Sequence, residues 1–364
     1  GCKLEDCIAI PSIGKYTRFF ENNKISRKIH LKRLRRQPQH DSPIATNHYR
    51  TVKAVRFGKK FVPLLCLTTN RTQTMAEIKI AGVMRAGAYS PNHIGNDAAI
   101  FNIAADQLRK RGCEVTIFSE EQLASGATND YHIILNMCRE RRSIDLLQKR
   151  EDAGDLVINS GYGIENCTRE RMTRILIGNG IPYPESLMVN TDESVIDALE
   201  KAGIEQCWIK RGDFHAMHKE DVSFVRHPQE AQEVLQEYFL RGIKRAVINR
   251  HLEGDLLKFY GVAGTDFFYW FYPFEAGHSK YGYEAINGAA RGLTFDETYL
   301  RDICARAAKE LDVRIYGGDC IVDEDGTIRI IDFNDWPSFA PCRDEAGPYI
   351  AKCVMQAIKE HRVH

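Results

Sequence analysis

The sequence predicts a mixed α/β and α+β protein: a small parallel α/β sheet, then further strands and helices, with the chemistry gathered at a hairpin near the C-terminus. Three observations predict it. Between residues 78 and 159, apolar runs of strand length alternate with amphipathic helical segments, which implies parallel strands joined by right-handed crossovers. Two β-rich runs, Ile315–Val322 and Thr327–Phe333, flank the acidic turn Asp323-Glu324-Asp325-Gly326, and Asp-Gly between apolar runs is a strong hairpin signal. No stretch approaches the roughly 18 apolar residues of a membrane span, and the 43% hydrophobic content is that of an ordinary globular chain.

With 364 residues the chain has room for two or three domains. Its net charge is only +1, but residues 1–74 hold 16 Lys and Arg against 4 Asp and Glu, and the remainder 34 against 45. A basic leader therefore precedes an acidic body. Eleven cysteines are scattered without a CxxC pair. They fit buried thiols in a reducing compartment, not a disulfide frame or zinc site, so a cytoplasmic location is expected. The leader lacks the apolar core of a signal peptide. It contains no Met, whereas Met75 stands just before the first clear strand. Two readings fit residues 1–74. The cluster Ser26–Arg36 (SRKIHLKRLRR) is a basic arm for nucleic acid or an anionic surface, or the leader is disordered and the natural chain starts at Met75. Nucleic acid is not the expected partner.

Ile78–Met84 is a continuous apolar run suited to a strand buried on both faces. The loop Arg85–Pro91 leads to the helix Asn92–Arg111, with Ile100, Ile103, Ala104 and Leu108 on one stripe, ended by Gly112. Glu114–Phe118, His132–Met137 and Leu156–Asn159 are the next strands, with a helix at Ser143–Ala153. Ligands of such sheets sit beyond the carboxyl ends of the strands. The loops Arg85–Asp97, Cys138–Arg142 and Asn159–Ile164 are therefore candidate substrate surfaces, although Ser90, Asn92 or Asn96 also suits a helix cap. A helix at Thr168–Asn179 leads to the rigid turn Gly180-Ile181-Pro182-Tyr183-Pro184. Helices follow at Asp192–Ala202, Pro228–Arg241, Thr298–Leu311 and Gly347–Glu360. Strands are expected at Cys207–Lys210, Val222–Val225, Ala246–Asn249, Asp255–Val262 and Phe267–Tyr272.

If Asp325-Gly326 is a two-residue loop, Glu324 pairs with Thr327 and Asp323 with Ile328. Counting outward, Asp319 then lies directly opposite Asp332. Opposed Cβ atoms are about 5 Å apart, and like charges there repel. Asn334, two residues on, shares the face. Two carboxylates and an amide oxygen converging on one point need a cation, and oxygen ligands of this kind suit Mg²⁺, or Mn²⁺, shared with nucleotide phosphates. A hairpin of merely solvated acids would not account for Asp332 inside the apolar run Ile330-Ile331-Asp332-Phe333.

With these residues in order, residues 78–345 resemble the ATP-grasp superfamily. The resemblance implies an ATP-grasp fold with a small N-terminal parallel α/β (pre-ATP-grasp) domain over residues 75–165. An N-terminal lobe over 166–245 and a C-terminal lobe with the metal site over 246–364 would hold ATP between them. It also implies roles. Lys210, closing CWIK, matches the strand-end lysine at the nucleotide's phosphate and base. Arg169, thirteen residues before Pro182, stands where many members carry a lysine, with Arg171 nearby as the alternative; a planar fork and a point charge bind phosphate differently. Ala246–Leu252 resembles the hinge strand under adenine, which places Asn249 and His251 at the nucleotide, and Glu253 at the ribose. Lys258 looks like the basic residue facing the terminal phosphate, and Arg291 and Asn287 like groups on the transferred phosphoryl. Asp319, Asp332 and Asn334 match the metal set, although most members have Glu where this chain has Asp332. Arg211–Glu220 takes the place of the mobile loop over the phosphates. It has one glycine, Gly212, and two histidines, His215 and His218, that either contact phosphate or are merely exposed.

Most members of the superfamily activate a carboxylate as an acyl phosphate for attack by an amine. The resemblance thus implies an ATP- and Mg-dependent carbon–nitrogen ligase, with Lys258 and Arg291 catalytic and with small-molecule carboxylate and amine substrates. Phosphoryl transfer rests on positioning and charge neutralisation, which agrees with a sequence that shows no nucleophile–base motif. Gly317-Gly318 stands where D-alanine ligase-like members carry an arginine, which argues against that substrate class. His251–Gly261 (HLEGDLLKFYG) also resembles inositol phosphate kinases of this fold, so a small-molecule kinase is an alternative. The departures at Asp332 and Arg169 permit a third reading, a nucleotide-binding regulator without turnover. No membrane partner is expected, and a homodimer is compatible with the sequence.

Overall fold

The computed structural model describes residues 55–57, 60–62, 78–89, 94–214, 218–273 and 284–362. The basic cluster Ser26–Arg36 lies outside the described residues, as do Ser90, Asn92 and His215. The chain divides into two units, Gly1–Arg71 and Thr72–His364. In the first, β1 (Val55–Phe57) pairs antiparallel with β2 (Lys60–Val62). All that follows concerns the second.

Its first sheet is parallel and built from β3 (Ile78–Met84), β4 (Cys113–Ser119), β5 (Ile133–Asn136) and β6 (Leu156–Ile158), in the order β4-β3-β5-β6. The helix α1 (Ile94–Arg109) covers one face together with the C-terminal helix at Arg343–His361. Ile100, Phe101, Ala104 and Leu108 from α1 meet Ile350, Val354 and Ile358 there in one buried cluster. The helices α2 (Glu120–Ala124), α3 (Arg141–Asp152) and α4 (Gly161–Asn166) stand on the other face. The stripe expected on α1 is the one that packs, with Ile103 half-buried rather than buried.

The second sheet is antiparallel, ordered β7-β10-β8-β9, from β7 (Ser186–Asn190), β8 (Cys207–Arg211), β9 (Val222–Val225) and β10 (Arg245–Arg250). One face puts Cys207, Ile209, Val225, Ala246 and Ile248 under α6 (Ile196–Lys201) and α7 (Pro228–Leu240). Alternation along the strands sends Trp208, Lys210, Val247 and Asn249 to the other face.

The third sheet, ordered β12-β11-β13-β14, is also antiparallel. It comprises β11 (Asp255–Val262), β12 (Phe268–Phe271), β13 (Ile315–Val322) and β14 (Ile328–Asp335). Leu257, Phe259, Cys320, Val322, Ile328, Ile330 and Phe333 pack against α5 (Arg169–Gly178) and the helix at Glu297–Glu310. Two irregularities set its geometry. The two-residue turn expected at Asp325-Gly326 does not form. The Asp323 N–H donates to Thr327 O at 3.1 Å and the Gly326 N–H to Asp323 O at 3.0 Å, with Gly326 at φ +81°. This is a three-residue loop with glycine in the left-handed position. The pairs next to the turn are therefore Val322–Ile328 and Ile321–Arg329, one residue out of the expected register, and the Asp323–Ile328 and Glu324–Thr327 pairs are overturned. A β-bulge at Ile331 then restores the count, so that Asp319 does face Asp332. The bulge also changes which face the strand presents: Ile328 and Ile330 point into the core, then Phe333 does, leaving Asp332 and Asn334 on the opposite face. Without the extra residue, Asp332 would fall on the core side.

The eight described cysteines are all buried free thiols. No described helix is long and apolar enough to cross a membrane.

Candidate functional site

Lys258, Asp319 and Asp332 stand in one row across β11, β13 and β14. Lys258 Nζ donates to Asp319 Oδ1 at 2.8 Å. Arg169, the first residue of α5, grips Asp332 with both terminal nitrogens, Nη1 to Oδ1 and Nη2 to Oδ2, the latter at 2.8 Å. From the second sheet, Lys210 reaches across and donates from Nζ to the carbonyl of Ile331 at 2.9 Å. That carbonyl belongs to the bulge, where the ladder is locally disrupted.

Three cations and two carboxylates from α5, β8, β11, β13 and β14 thus form one cluster between two sheets. Lys210 is 7% exposed. Burial above all, and the neighbouring Arg169 charge, hold its pKa well below lysine's ordinary value, while Asp319 opposes the shift. Arg171 turns away and pairs with Glu165 at 3.2 Å, so Arg169 is the arginine that joins the cluster.

Asn249 and His251 lie toward the far end of β10. Asn249 is buried, and its Nδ2 donates to Ser186 Oγ at 2.8 Å. His251 Nδ1 faces Trp208 Nε1 at 3.1 Å, and its ring meets Phe224 edge-on with centroids 5.0 Å apart. Burial lowers its pKa, partly offset by Glu253. Nδ1 accepts from an indole that can only donate, so the ring is neutral with its proton on Nε2. Trp208, Phe224 and His251 make an aromatic patch of mutually tilted rings on the sheet that carries Lys210.

Two expected residues lie apart from the cluster. Glu253 is exposed beyond β10. Arg291 sits at the hairpin tip, with Nη1 on Glu324 at 2.7 Å and its backbone N–H on Asp255 at 2.7 Å. Asp255 pairs with Val322, three positions along β13 from Asp319, which is about 10 Å at strand spacing. Asn287 donates to Leu252 O at 3.2 Å. Asn334 shares the face of Asp332 and pairs with Gly317.

The loops at the carboxyl ends of the parallel sheet are engaged in bonds of their own. Arg85 donates to Asp97 at 2.8 Å, to Trp336 O at 3.1 Å and to Met137 O at 3.2 Å. Arg139 donates to Asp335 O at 3.1 Å. Glu120 accepts from the N–H groups of Ala86, Arg139 and Glu140. Asn159 Oδ1 accepts from the N–H groups of Arg314 and Ile315, and its Nδ2 donates to Ile315 O. Three features were missed in the sequence: the Ile331 carbonyl, Ser186 on β7, and the Glu120 nest. Only β7 left a signal, the short run Ser186–Asn190 between a proline pair and a polar turn.

No protein-family profile matches this sequence and no curated protein matches it. Solved structures do. The D-alanine–D-alanine ligase from Bacillus anthracis complexed with ATP is 15% identical, with 78% of this chain and 99% of that one covered and a TM-score of 0.57. D-alanyl-alanine synthetase A from Vibrio cholerae O1 biovar eltor is 12% identical over 78% and 99%, with a TM-score of 0.58. The chain has the ATP-grasp fold. A RimK domain ATP-grasp protein from Sphaerobacter thermophilus is similar too, 16% identical over 76% and 99%, with a TM-score of 0.55.

At these identities the likeness is one of fold, and the charged cluster stands on its own geometry. Among the described residues no group of three or more His, Cys, Asp or Glu gathers for a metal. The donors that do face one another, the Asp319 and Asp332 carboxylates with the Asn334 amide on the same face, are all oxygens. Such a set fits a hard divalent ion that completes its shell with phosphate or water.

Proposed function

We propose that the protein is an ATP- and Mg²⁺-dependent ligase that activates a carboxylate as an acyl phosphate and passes the acyl group to an amine. The observation that carries this reading is the cluster of Arg169, Lys210 and Lys258 with Asp319 and Asp332, facing one another between two antiparallel sheets of an ATP-grasp fold. The division of labour follows the sequence: residues 75–165 as pre-ATP-grasp domain, 166–245 and 246–364 as the lobes around ATP. The adenine would lie near Asn249 and His251, against the aromatic patch, with Glu253 at the ribose.

The triphosphate would lie among the three cations. Arg169 offers a planar fork that fits two phosphate oxygens, and Lys210 a desolvated ammonium whose field is little screened. Lys258 lies in the same row as both aspartates, suited to the phosphoryl group in transfer, where neutralising charge lowers the barrier. Arg291 would join only by leaving the hairpin tip. Mg²⁺, held by Asp319, Asp332 and Asn334, would supply further charge neutralisation at the phosphates. One carboxylate oxygen of the substrate attacks the terminal phosphorus and ADP leaves. The amine then attacks the acyl carbon, phosphate leaves, and the amine gives up a proton.

The similarity to a D-alanine–D-alanine ligase with ATP bound supports a carbon–nitrogen ligase. The glycine pair before Asp319 supports a different substrate. A Cβ on Gly318 would meet Asp332 O at 2.2 Å, and one on Gly317 would meet Tyr260 Cδ1 at 2.6 Å, so neither position has room for an arginine. The test supplies ATP, Mg²⁺ and pooled small carboxylates and amines, with ¹⁸O in the carboxylates. The expected result is ADP, an amide mass, and phosphate carrying one ¹⁸O. A phosphorylated product without free phosphate would make it a kinase, and AMP formation would contradict the acyl phosphate route.

A further inference from the structure

Both carboxylates expected to hold the divalent ion already carry a cation of the protein's own. Arg169 takes both oxygens of Asp332, and Lys258 takes Oδ1 of Asp319. These are not surface pairs: the side chains are 12% and 16% exposed in the first, 22% and 20% in the second. Arg169 opens α5 at the helix's positive end, where a cation is disfavoured without an anion beside it. Asp332 is that anion, and the bulge at Ile331 is what turns it toward the cleft.

The charge count then decides what can enter. Arg169 and Lys258 balance Asp319 and Asp332, and Lys210, where protonated, adds one net positive charge. A divalent ion arriving alone would add two more and would have to strip two cations from their carboxylates. A triphosphate brings about four negative charges, two of them on its terminal phosphate. It offers Arg169 and Lys258 phosphate oxygens in exchange for carboxylate oxygens, and guanidinium grips either kind bidentately. We propose that the nucleotide-free site is an anion site whose metal ligands are locked by Arg169 and Lys258, so that a polyphosphate binds first and thereby unmasks the carboxylates for the divalent ion. This rests on the nucleotide site proposed above.

The experiment uses the full chain, with inorganic tripolyphosphate and Mn²⁺ as separate probes. Calorimetry in excess chelator follows tripolyphosphate, and electron paramagnetic resonance follows Mn²⁺ without any phosphate. The wild type is expected to bind tripolyphosphate without metal and to bind Mn²⁺ alone only weakly. Arg169→Gln should tighten Mn²⁺ binding about ten-fold or more and weaken tripolyphosphate by a similar factor, one charge-assisted contact in each case. Arg169→Lys, which keeps the charge and loses the fork, should fall between. Two results would overturn the lock while leaving the nucleotide site intact, provided ATP with Mg²⁺ binds: Mn²⁺ bound alone as tightly by wild type as by Arg169→Gln, or tripolyphosphate bound only when metal is present. If ATP with Mg²⁺ does not bind at all, the nucleotide site falls and the lock with it.

Discussion

Two polar clusters sit in this fold, and they are built on different principles. At the carboxyl ends of β3, β4 and β5, Glu120, Arg85 and Arg139 are about nine-tenths buried or more; Arg85 and Arg139 each pair with one buried carboxylate, Asp97 and Asp335, and their other partners, like those of Glu120, are backbone. Glu120 accepts three backbone N–H groups, and Arg85 and Arg139 donate to carbonyls of residues 137, 335 and 336. Such bonds cannot be exchanged without moving the strands. At β11, β13 and β14 the partners are side chains from separate elements, Arg169 on Asp332 and Lys258 on Asp319, each partly open. These can change partners when a ligand offers better oxygens. Charged loop residues at strand ends look alike in a sequence; what separates a clamp from a site is how large a share of the partners is backbone and how deeply the carboxylates are buried.

The sharpest way to break this contrast is to mutate one residue on each side. Asp332→Asn should lower turnover on the order of 10³-fold, the scale of losing one preorganised charge at a reacting phosphoryl group. It should also cost some stability, about 1–2 kcal/mol, because it leaves Arg169 at the start of α5 without its anion, while the Asn oxygen still accepts a hydrogen bond. Glu120→Ala should tip the balance the other way. It strands the buried N–H of Arg139, at about 1–3 kcal/mol, and the partly buried N–H groups of Ala86 and Glu140 at less each, a total loss on the order of 3–5 kcal/mol of a stability usually 5–15 kcal/mol. Turnover per folded molecule should hold within about two-fold. Urea unfolding and steady-state rates on both variants decide it. If Glu120→Ala abolished turnover without moving the unfolding midpoint, the Glu120 cluster would be part of the site.

Much of the frame was legible because burial writes itself into short apolar runs. The spans expected at Ile78–Met84, Val222–Val225 and Asp255–Val262 are the observed strands. The strand Ser186–Asn190 was missed, since all five residues are half-buried and an edge strand without alternation carries no period to read. The hairpin is more instructive. Asp319 was expected opposite Asp332 through a two-residue turn, and the pairing forms through a longer turn and a bulge that cancel. Nothing marks Ile331 as the extra residue, because it is one isoleucine beside another. Arg169 was visible as a cation, but its contact with Asp332, 163 residues away, belongs to tertiary structure alone. The carboxyl-end loops were read for substrate because fold rules place ligands there; the bonds that close them are long-range and leave no local pattern.

Between the two clusters in expected effect comes Lys210, whose chemistry is that of the exchangeable site and whose burial is that of the clamp. Burial holds its pKa well below the ordinary lysine value. A bound polyphosphate stabilises the protonated form and raises it again. Above the lowered pKa, binding must therefore take up a proton, and affinity for ATP should fall by up to about ten-fold for each pH unit until the pKa of the bound form is reached. Calorimetry in buffers of different ionisation heat measures the uptake directly. Lys210→Arg, which stays charged, should remove both the uptake and the slope. Equal slopes in wild type and Lys210→Arg would assign the pH dependence to another group.

The smallest expected effect lies on the clamp side, at Glu151. Its carboxylate accepts from Gly161 N at 2.9 Å and Ser160 Oγ at 3.1 Å, tying the end of α3 to the start of α4. Burial raises its pKa from 4.5 to about 7, with those two hydrogen bonds opposing the shift. An acid whose folded pKa lies above its unfolded value binds its proton more tightly when folded. Its contribution is fully present below about pH 4.5 and is lost as the pH rises through about 7. Taken whole, the shift would be worth about 3 kcal/mol; the group is partly open to water, so about 1–2 kcal/mol is the expected loss. Urea unfolding at pH 5 and pH 8 measures it. Glu151→Gln, which keeps an acceptor oxygen and cannot ionise, should flatten the difference, and turnover should not distinguish the two proteins at either pH. A turnover change without a stability change would mean that the two clusters communicate through α3 and α4, and that partner exchange at Asp332 is not confined to its own strands.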